Sequence, residues 1–266
     1  MCAYITERAS RFYADTYDAC VDDWEGEIAF YTDLAAKNLS GGESLLELAC
    51  GTGRVAIPIA RSGVNVVGLD QSPFMLDVAR RKSEGLTNVH WLEGDMRSFQ
   101  IDESFGLIVI PGHAFQNLVP LQDQVACLAS AAQHLSPDGL LVIHLDHQNP
   151  AWLGEIEGEK AGVFEVGCEF VHPGTGHTVR TLNAWSYDRA SQTATLQTIW
   201  DVASDREKVE ERIESGPIEL HFIFRYEMEL LLQQCGFEVE GLYGDFHHSS
   251  LTSDSSEMIW IARHHG

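Results

Sequence analysis

Eight consecutive residues, Glu47-Leu48-Ala49-Cys50-Gly51-Thr52-Gly53-Arg54, join a short apolar run to a helical one through two glycines. Glycines let the main chain approach a ligand closely, and a strand-to-helix turn is where parallel-sheet proteins bind nucleotides. Gly51-Thr52-Gly53-Arg54-Val55-Ala56 satisfies the G-x-G-x-x-G/A dinucleotide pattern, and Asp70, ending the next apolar run, is spaced to take ribose hydroxyls. An NAD-dependent oxidoreductase is therefore one reading. Glu47 opposes it, because a carboxylate just before the glycines repels a pyrophosphate and tolerates a cation. A second acid follows the third apolar run in Gly94-Asp95-Met96, and His113, Asp146 and His147 fall at later strand ends, where any of them could act as a general base. Each has a plain structural alternative: turn glycines, capping acids, packed imidazoles.

Positioning these groups requires strands and helices in alternation. Ser44 to Ala49, Val64 to Leu69, Asn88 to Leu92, Phe105 to Ile110 and Leu140 to Leu145 read as strands; Val55 to Arg61, Phe74 to Glu84 and Leu121 to Leu135 read as helices between them. That order implies a parallel sheet wrapped by helices. Ser72-Pro73 marks a helix start and Ser136-Pro137-Asp138-Gly139 a turn, whereas Pro58 should kink its helix unless it lies in the first turn. Ser10 to Asn38 has aromatics at helical spacing. From about Gly162 the period changes to two, with Val179, Thr181, Asn183, Trp185 and Tyr187 on one face, so antiparallel strands are expected, with more over Thr195 to Ala203 and Ile218 to Phe224. The charged stretch Asp205 to Glu214 reads as a solvated connection. Arg225 to Cys235 reads as a helix, Phe237 to Tyr243 and Glu257 to Arg263 as strands, and Ser249 to Ser256 as a polar connection.

The ordered set of an acidic-glycine turn, an acid ending the second strand and a Gly-Asp pair after the third resembles class I S-adenosylmethionine-dependent methyltransferases. Gly68-Leu69-Asp70-Gln71-Ser72-Pro73-Phe74-Met75-Leu76, Leu135-Ser136-Pro137-Asp138-Gly139-Leu140-Leu141 and Leu231-Leu232-Gln233-Gln234-Cys235-Gly236-Phe237-Glu238-Val239 extend the resemblance over nearly the whole chain. It implies a Rossmann-like α/β fold: a mostly parallel seven-stranded sheet with an antiparallel last strand, and an antiparallel β insertion roofing the active site. It implies residues 1–150 and 219–266 as the S-adenosylmethionine-binding domain with an N-terminal helical lid, and 151–218 as a substrate-side cap. Gly51 and Gly53 would face the methionine part of the donor, Asp70 the ribose, and Asp95 the adenine amino group, with Gln71 and Met96 beside the ring. Glu47, Ala49, Arg54, Met75, Gly94 and Pro111 would complete the donor site, and Tyr17, in Tyr17-Asp18, would close over it. Asn117 occupies a position where relatives often carry a histidine; with Arg180, Trp185 and Tyr187 it is a candidate for holding the acceptor. His144 and Asp146 share a strand face and so raise a metal, but metal-dependent relatives carry a carboxylate where this chain has Pro111-Gly112-His113, so no metal is expected.

The expected activity is methyl transfer from S-adenosylmethionine to a nitrogen or oxygen of a small metabolite, leaving S-adenosylhomocysteine. The alternatives are the NAD-dependent oxidoreductase and a non-catalytic S-adenosylmethionine-binding protein. A net charge of −23, from 17 Lys and Arg against 40 Asp and Glu, argues against nucleic acid or an anionic membrane as partner. No apolar run approaches the ~18 residues of a membrane span, and Met1 to Ser10 lacks a signal-peptide core, so a cytoplasmic monomer or homodimer is expected. Cys2, Cys20, Cys50, Cys127, Cys168 and Cys235 are widely spaced, and reduced thiols are the expectation.

Overall fold

The structure, a computed structural model, describes residues 6–21, 23–39, 42–204 and 209–264. In chain order the elements are α1 (Glu7–Cys20), α2 (Glu27–Asn38), β1 (Ser44–Leu48), α3 (Ala56–Arg61), β2 (Val66–Asp70), α4 (Pro73–Lys82), β3 (Val89–Glu93), β4 (Phe105–Ile110), α5 (Leu121–His134), β5 (Leu135–Asp146) and α6 (Pro150–Glu157). They continue with β6 (Phe164–Val171), β7 (Thr178–Asp188), β8 (Thr193–Ala203), β9 (Glu211–His221), α7 (Arg225–Gln234), β10 (Phe237–Tyr243) and β11 (Glu257–His264). They form two compact units, one made of α1 with Asn149–Phe222, the other of Asp23–Gln148 with the chain from Ile223 onward.

The larger unit is built on a seven-stranded sheet in the order β10-β11-β5-β4-β1-β2-β3. Strands β1 to β5 run parallel, and β11 is antiparallel to both its neighbours. The central strands β1, β2 and β4 are buried at every residue, which is why they read as unbroken apolar runs. Each buried Leu, Ile or Val there contributes about 1.5–3 kcal/mol of transfer free energy. Pro58 lies in the first turn of α3, where no backbone N–H has an intrahelical partner to lose. Residues 136–139 are not a separate turn: Phe105 pairs with Leu135 and Leu107 with Leu140, so they bulge out of a continuous β5.

The expected helix over Ser10 to Asn38 is two helices. Val21 is extended and Gly26 adopts a φ of 82° as the N-cap of α2, which ends one helix and starts the next. In the smaller unit, β6-β7-β8-β9 form an antiparallel sheet on which α1 packs through Ala9 and Phe12 against Val179, Trp200, Val202 and Ile213. β9 begins at Glu211, inside the stretch expected to be a solvated connection; Ile213 and Ser215 turn inward while Arg212 pairs with Asp201 across the strands at 2.7 Å. Residues 205–208 of that stretch lie outside the described residues. Asn149 caps α6 with Pro150 at its first position, a start signal that the charged and aromatic residues around it obscured. Cys20 and Cys168 form a disulfide between α1 and β6 with Cα atoms 6.4 Å apart, correcting the expectation of reduced thiols. A sequence separation of 148 gave no hint of it. Cys50, Cys127 and Cys235 are free, and Cys2 lies outside the described residues. Among the described residues no helix is long and apolar enough to cross a membrane.

Candidate active site

In the larger unit the chain leaves β1 for β2 and β3 on one side, then returns to β4 on the other. The carboxyl ends of β1 and β4 therefore flank a topological switch point, the crevice where open α/β sheets bind ligands. Both ends carry a non-glycine residue with positive φ, Ala49 at 56° and His113 at 61°. Such conformations are strained and persist where the surrounding structure holds them, commonly at functional sites.

Asp70 closes the glycine turn from below. Its carboxylate oxygens accept from the Gly51 and Ser72 amides, each at 2.8 Å, and burial raises its pKa against those two bonds. The Gly94 amide donates to the Asp70 carbonyl at 3.0 Å, so the Gly94-Asp95 turn abuts the end of β2. Asp95 is engaged by Arg97, whose Nε lies 2.9 Å from Oδ1 and 3.0 Å from Oδ2, and those bonds depress its pKa. Gln71 is exposed, Met75 is buried in the first turn of α4, and Met96 packs against the main core.

Glu47 is the most perturbed acid of the site. It is 2% exposed, its Oε2 has no hydrogen-bond partner, and burial pushes its pKa to about 8 despite the nearby Arg54. Arg54 is held by Glu27, which takes both guanidinium Nη groups, and by Asp23 at 2.7 Å, and it lies over the Trp24 ring at 5.2 Å. Glu27 is wholly buried. The turn thus gathers three buried carboxyls, Glu27 and Glu47 at the Arg54 guanidinium and Asp70 near Glu47, an environment for a cationic ligand.

Beyond Trp24 a second cluster joins the ends of β4, β5 and β11. Glu257 Oε2 lies 2.7 Å from Nε2 of His113 and of His144, while Oε1 accepts from Trp24 Nε1 at 3.0 Å. The three ligand-type atoms lie within 4.8 Å of one another, a spacing a metal could use. However, the Gly112 amide points at His144 Nδ1 from 3.3 Å, which makes Nδ1 an acceptor and leaves the proton of the neutral ring on Nε2. Metal-ligating histidines show the reverse, donating from the outer nitrogen.

Of the other sequence candidates, Asp146 lies near this cluster and the rest serve the fold around them. His147 Nδ1 is 2.8 Å from the Ser255 carbonyl, and its amide donates to Ser256, which extends the β5–β11 pairing. Asp146 is partly buried with its pKa raised by burial, and its amide donates to Gln116. Pro111 is buried, and Asn117 is exposed with Nδ2 on the Ala114 carbonyl. Tyr17, Arg180, Trp185 and Tyr187 belong to the smaller unit. There Tyr17 meets Tyr13 edge-on, Arg180 pairs with Glu169 at 3.1 Å, Trp185 packs against Trp152 and Tyr187 stacks on Phe222. Sequence reasoning missed Trp24, Glu27 and Glu257; an acid heading the apolar last strand was the one available sign for Glu257, and no spacing ties it to His113 or His144. A cavity of about 350 Å³ lined by Gln100, Glu103 and His134 lies beside the amino end of β4 and includes none of these groups.

Comparison with known proteins places the glycine turn within a known domain profile. A family profile described as a methyltransferase domain matches residues 45–139, from β1 to the bulge of β5. The chain is 26% identical over 220 residues to the cypemycin N-terminal methyltransferase of a Streptomyces species, covering 83% of this chain and 82% of that one. It is 31% identical over 147 residues to the dTDP-3-amino-3,4,6-trideoxy-alpha-D-glucopyranose N,N-dimethyltransferase of Streptomyces venezuelae, covering 54% of this chain and 59% of that one. Among solved structures, an S-adenosylmethionine-dependent methyltransferase of Clostridium acetobutylicum matches with a TM-score of 0.77 at 16% identity, over 97% of this chain and 98% of that one.

Proposed function

We propose that the chain is a class I S-adenosylmethionine-dependent methyltransferase and that it methylates the amine nitrogen of a small metabolite. The buried, unpartnered Oε2 of Glu47 carries this reading most strongly, since a donor bearing a sulfonium and an ammonium is the kind of ligand that would relieve it. Asp70 keeps lone pairs beyond its bonds to Gly51 and Ser72, which suits two ribose hydroxyls. Nothing lies within 4 Å of where a Gly51 side chain would stand, which leaves the backbone open to close approach. When bound, the donor supplies an electrophilic methyl group for in-line displacement. The protein's part is to hold donor and acceptor in line, keep water out and leave the acceptor nitrogen unprotonated.

Nitrogen is favoured over oxygen because the relatives described above are named for an N-terminal amine and for an amino-sugar nitrogen. Neither the oxidoreductase nor the non-catalytic binding protein gains support from the family match. The test is transfer of labelled methyl from S-adenosylmethionine to three probes: a dTDP-amino sugar, a short peptide with a free N-terminus, and a catechol. Label in one of the amine probes is expected. Label confined to the catechol would move the reading to oxygen, and donor binding without transfer to any probe would contradict small-amine methylation.

A further inference from the structure

The cluster at the ends of β4, β5 and β11 is arranged to take up a proton. Glu257 receives two imidazoles on one oxygen, and the hydrogen-bond partners decide where each ring proton sits. His144 is fully buried, and with the Gly112 amide aimed at its Nδ1, its Nε2–H donates to Glu257. Burial, reinforced by the neighbouring His113 and Arg54, holds His144 near pKa 4 despite Glu257, so the ring is neutral at pH 7. Burial alone would raise Glu257, but its bonds to His113 and His144 outweigh that and bring it to about 2, so it is a carboxylate with no proton to give. His113 Nε2, 2.7 Å from the same oxygen, must then be a donor as well. That leaves the His113 lone pair on Nδ1, which makes no hydrogen bond to any described residue, on a side chain that is 27% exposed. A carboxylate behind an imidazole whose outer nitrogen is unprotonated is the arrangement of a general base with its orienting partner.

The site is adjacent to the glycine turn. The Trp24 ring lies 5.1 Å from the His113 ring and 5.2 Å from the Arg54 guanidinium, and a Cβ on Gly112 would stand 3.8 Å from Arg54 Nη2.

We propose that His113 Nδ1 accepts the proton of the methyl acceptor, with Glu257 as the residue that positions the ring and stabilises its charged form. This rests on the methyltransferase reading and narrows it: the acceptor is one whose nucleophile arrives protonated, an alkylammonium. The ammonium N–H passes its proton to Nδ1, and the freed lone pair forms the new nitrogen–methyl bond. The carbon–sulfur bond breaks with its electrons on sulfur, and His113 releases the proton to solvent. His144 does not exchange protons in this scheme; it anchors Glu257. Among the described residues, the charged or titratable groups around His113 are Glu257 from β11, His144 and Asp146 from β5, and Arg54 beside Gly112.

The first test needs no acceptor. Diethyl pyrocarbonate acylates unprotonated imidazole nitrogens, and peptide mapping of the treated full-length chain reads each histidine separately. His113 is expected to react and His144 to resist. In Glu257→Gln the side-chain amide can donate to Nε2 and invert the tautomer, so acylation of His113 at a fixed pH should slow. An unreactive His113, or an acylation rate unchanged in Glu257→Gln, would overturn the assignment. The second test uses the amine probes above with His113→Gln, whose unchanged affinity for S-adenosylhomocysteine reports an intact fold. Its kcat at pH 7 should fall by about 10²–10⁴-fold and recover toward the wild-type value as pH rises and the amine arrives unprotonated. Equal turnover by the variant at pH 7 would remove the base and leave the methyltransferase reading standing. A wild-type chain that fails to bind S-adenosylhomocysteine would remove the reading itself.

Discussion

Glu47 shows what one residue contributes and what it costs. A carboxyl pushed from 4.5 to about 8 by burial binds a proton more tightly folded than unfolded. Its contribution to stability is therefore complete below pH 4.5 and is lost as pH rises through 8. Glu47→Gln removes that penalty, and the thermal midpoint of the variant at pH 9 should exceed the wild type's, by a free energy on the order of a few kcal/mol. The same substitution should weaken S-adenosylmethionine binding, since it removes a carboxyl that a cationic ligand would ionise. A variant no more stable at pH 9 would contradict the burial account. At this scale the sequence was partly legible. Glu47, Asp70 and Asp95 stood out because each follows or ends an apolar run next to glycine. The Glu257–His113–His144 cluster did not, because its members lie on three strands that only the sheet order brings together.

The glycine turn does its work as an element, and its two glycines differ. A side chain on Gly53, whose φ is 74°, would meet the Trp91 ring at 2.6 Å and Ile57 at 2.9 Å. On Gly51, at φ 54°, it would meet nothing within 4 Å. Gly51→Ala should therefore lose about 1 kcal/mol from backbone strain alone, and Gly53→Ala about 2–4 kcal/mol through overpacking added to strain. Denaturant unfolding of the two variants checks the order; equal losses would mean that the turn relaxes freely. Most elements were readable because burial on both faces makes parallel strands continuous in sequence, as in β1 and β4. The break between α1 and α2 was hidden because the aromatic spacing carries on across it. The start of β9 was hidden because outward-facing acids on an edge strand look like a solvated loop until Ile213 and Ser215 are seen turned inward.

Over the whole molecule, acid and base act through different groups. His144, lowered from 6.5 to about 4, contributes stability that is complete above pH 6.5 and lost as pH falls toward 4. Glu257, lowered from 4.5 to about 2, contributes stability that is complete above pH 4.5 and lost as pH falls toward 2. With Glu47 opposing them on the alkaline side, the thermal midpoint should peak near neutral pH. His144→Phe should flatten the fall between pH 6.5 and 4.5, where Glu257 is still ionised in both states. A slope unchanged in that variant would place the acid sensitivity elsewhere. The net charge of −23 sharpens the argument about partners and says nothing about the fold.

The most direct measurement is calorimetric titration of the ligand-free chain with S-adenosylmethionine, S-adenosylhomocysteine and NAD, repeated on Asp70→Asn. Saturable binding of both sulfur ligands, no heat from NAD, and a loss of about 1–3 kcal/mol in Asp70→Asn are predicted, because a charge-assisted bond to the ribose is weakened. Binding of NAD alone, or S-adenosylhomocysteine affinity unchanged in Asp70→Asn, would contradict the donor site assigned to this crevice.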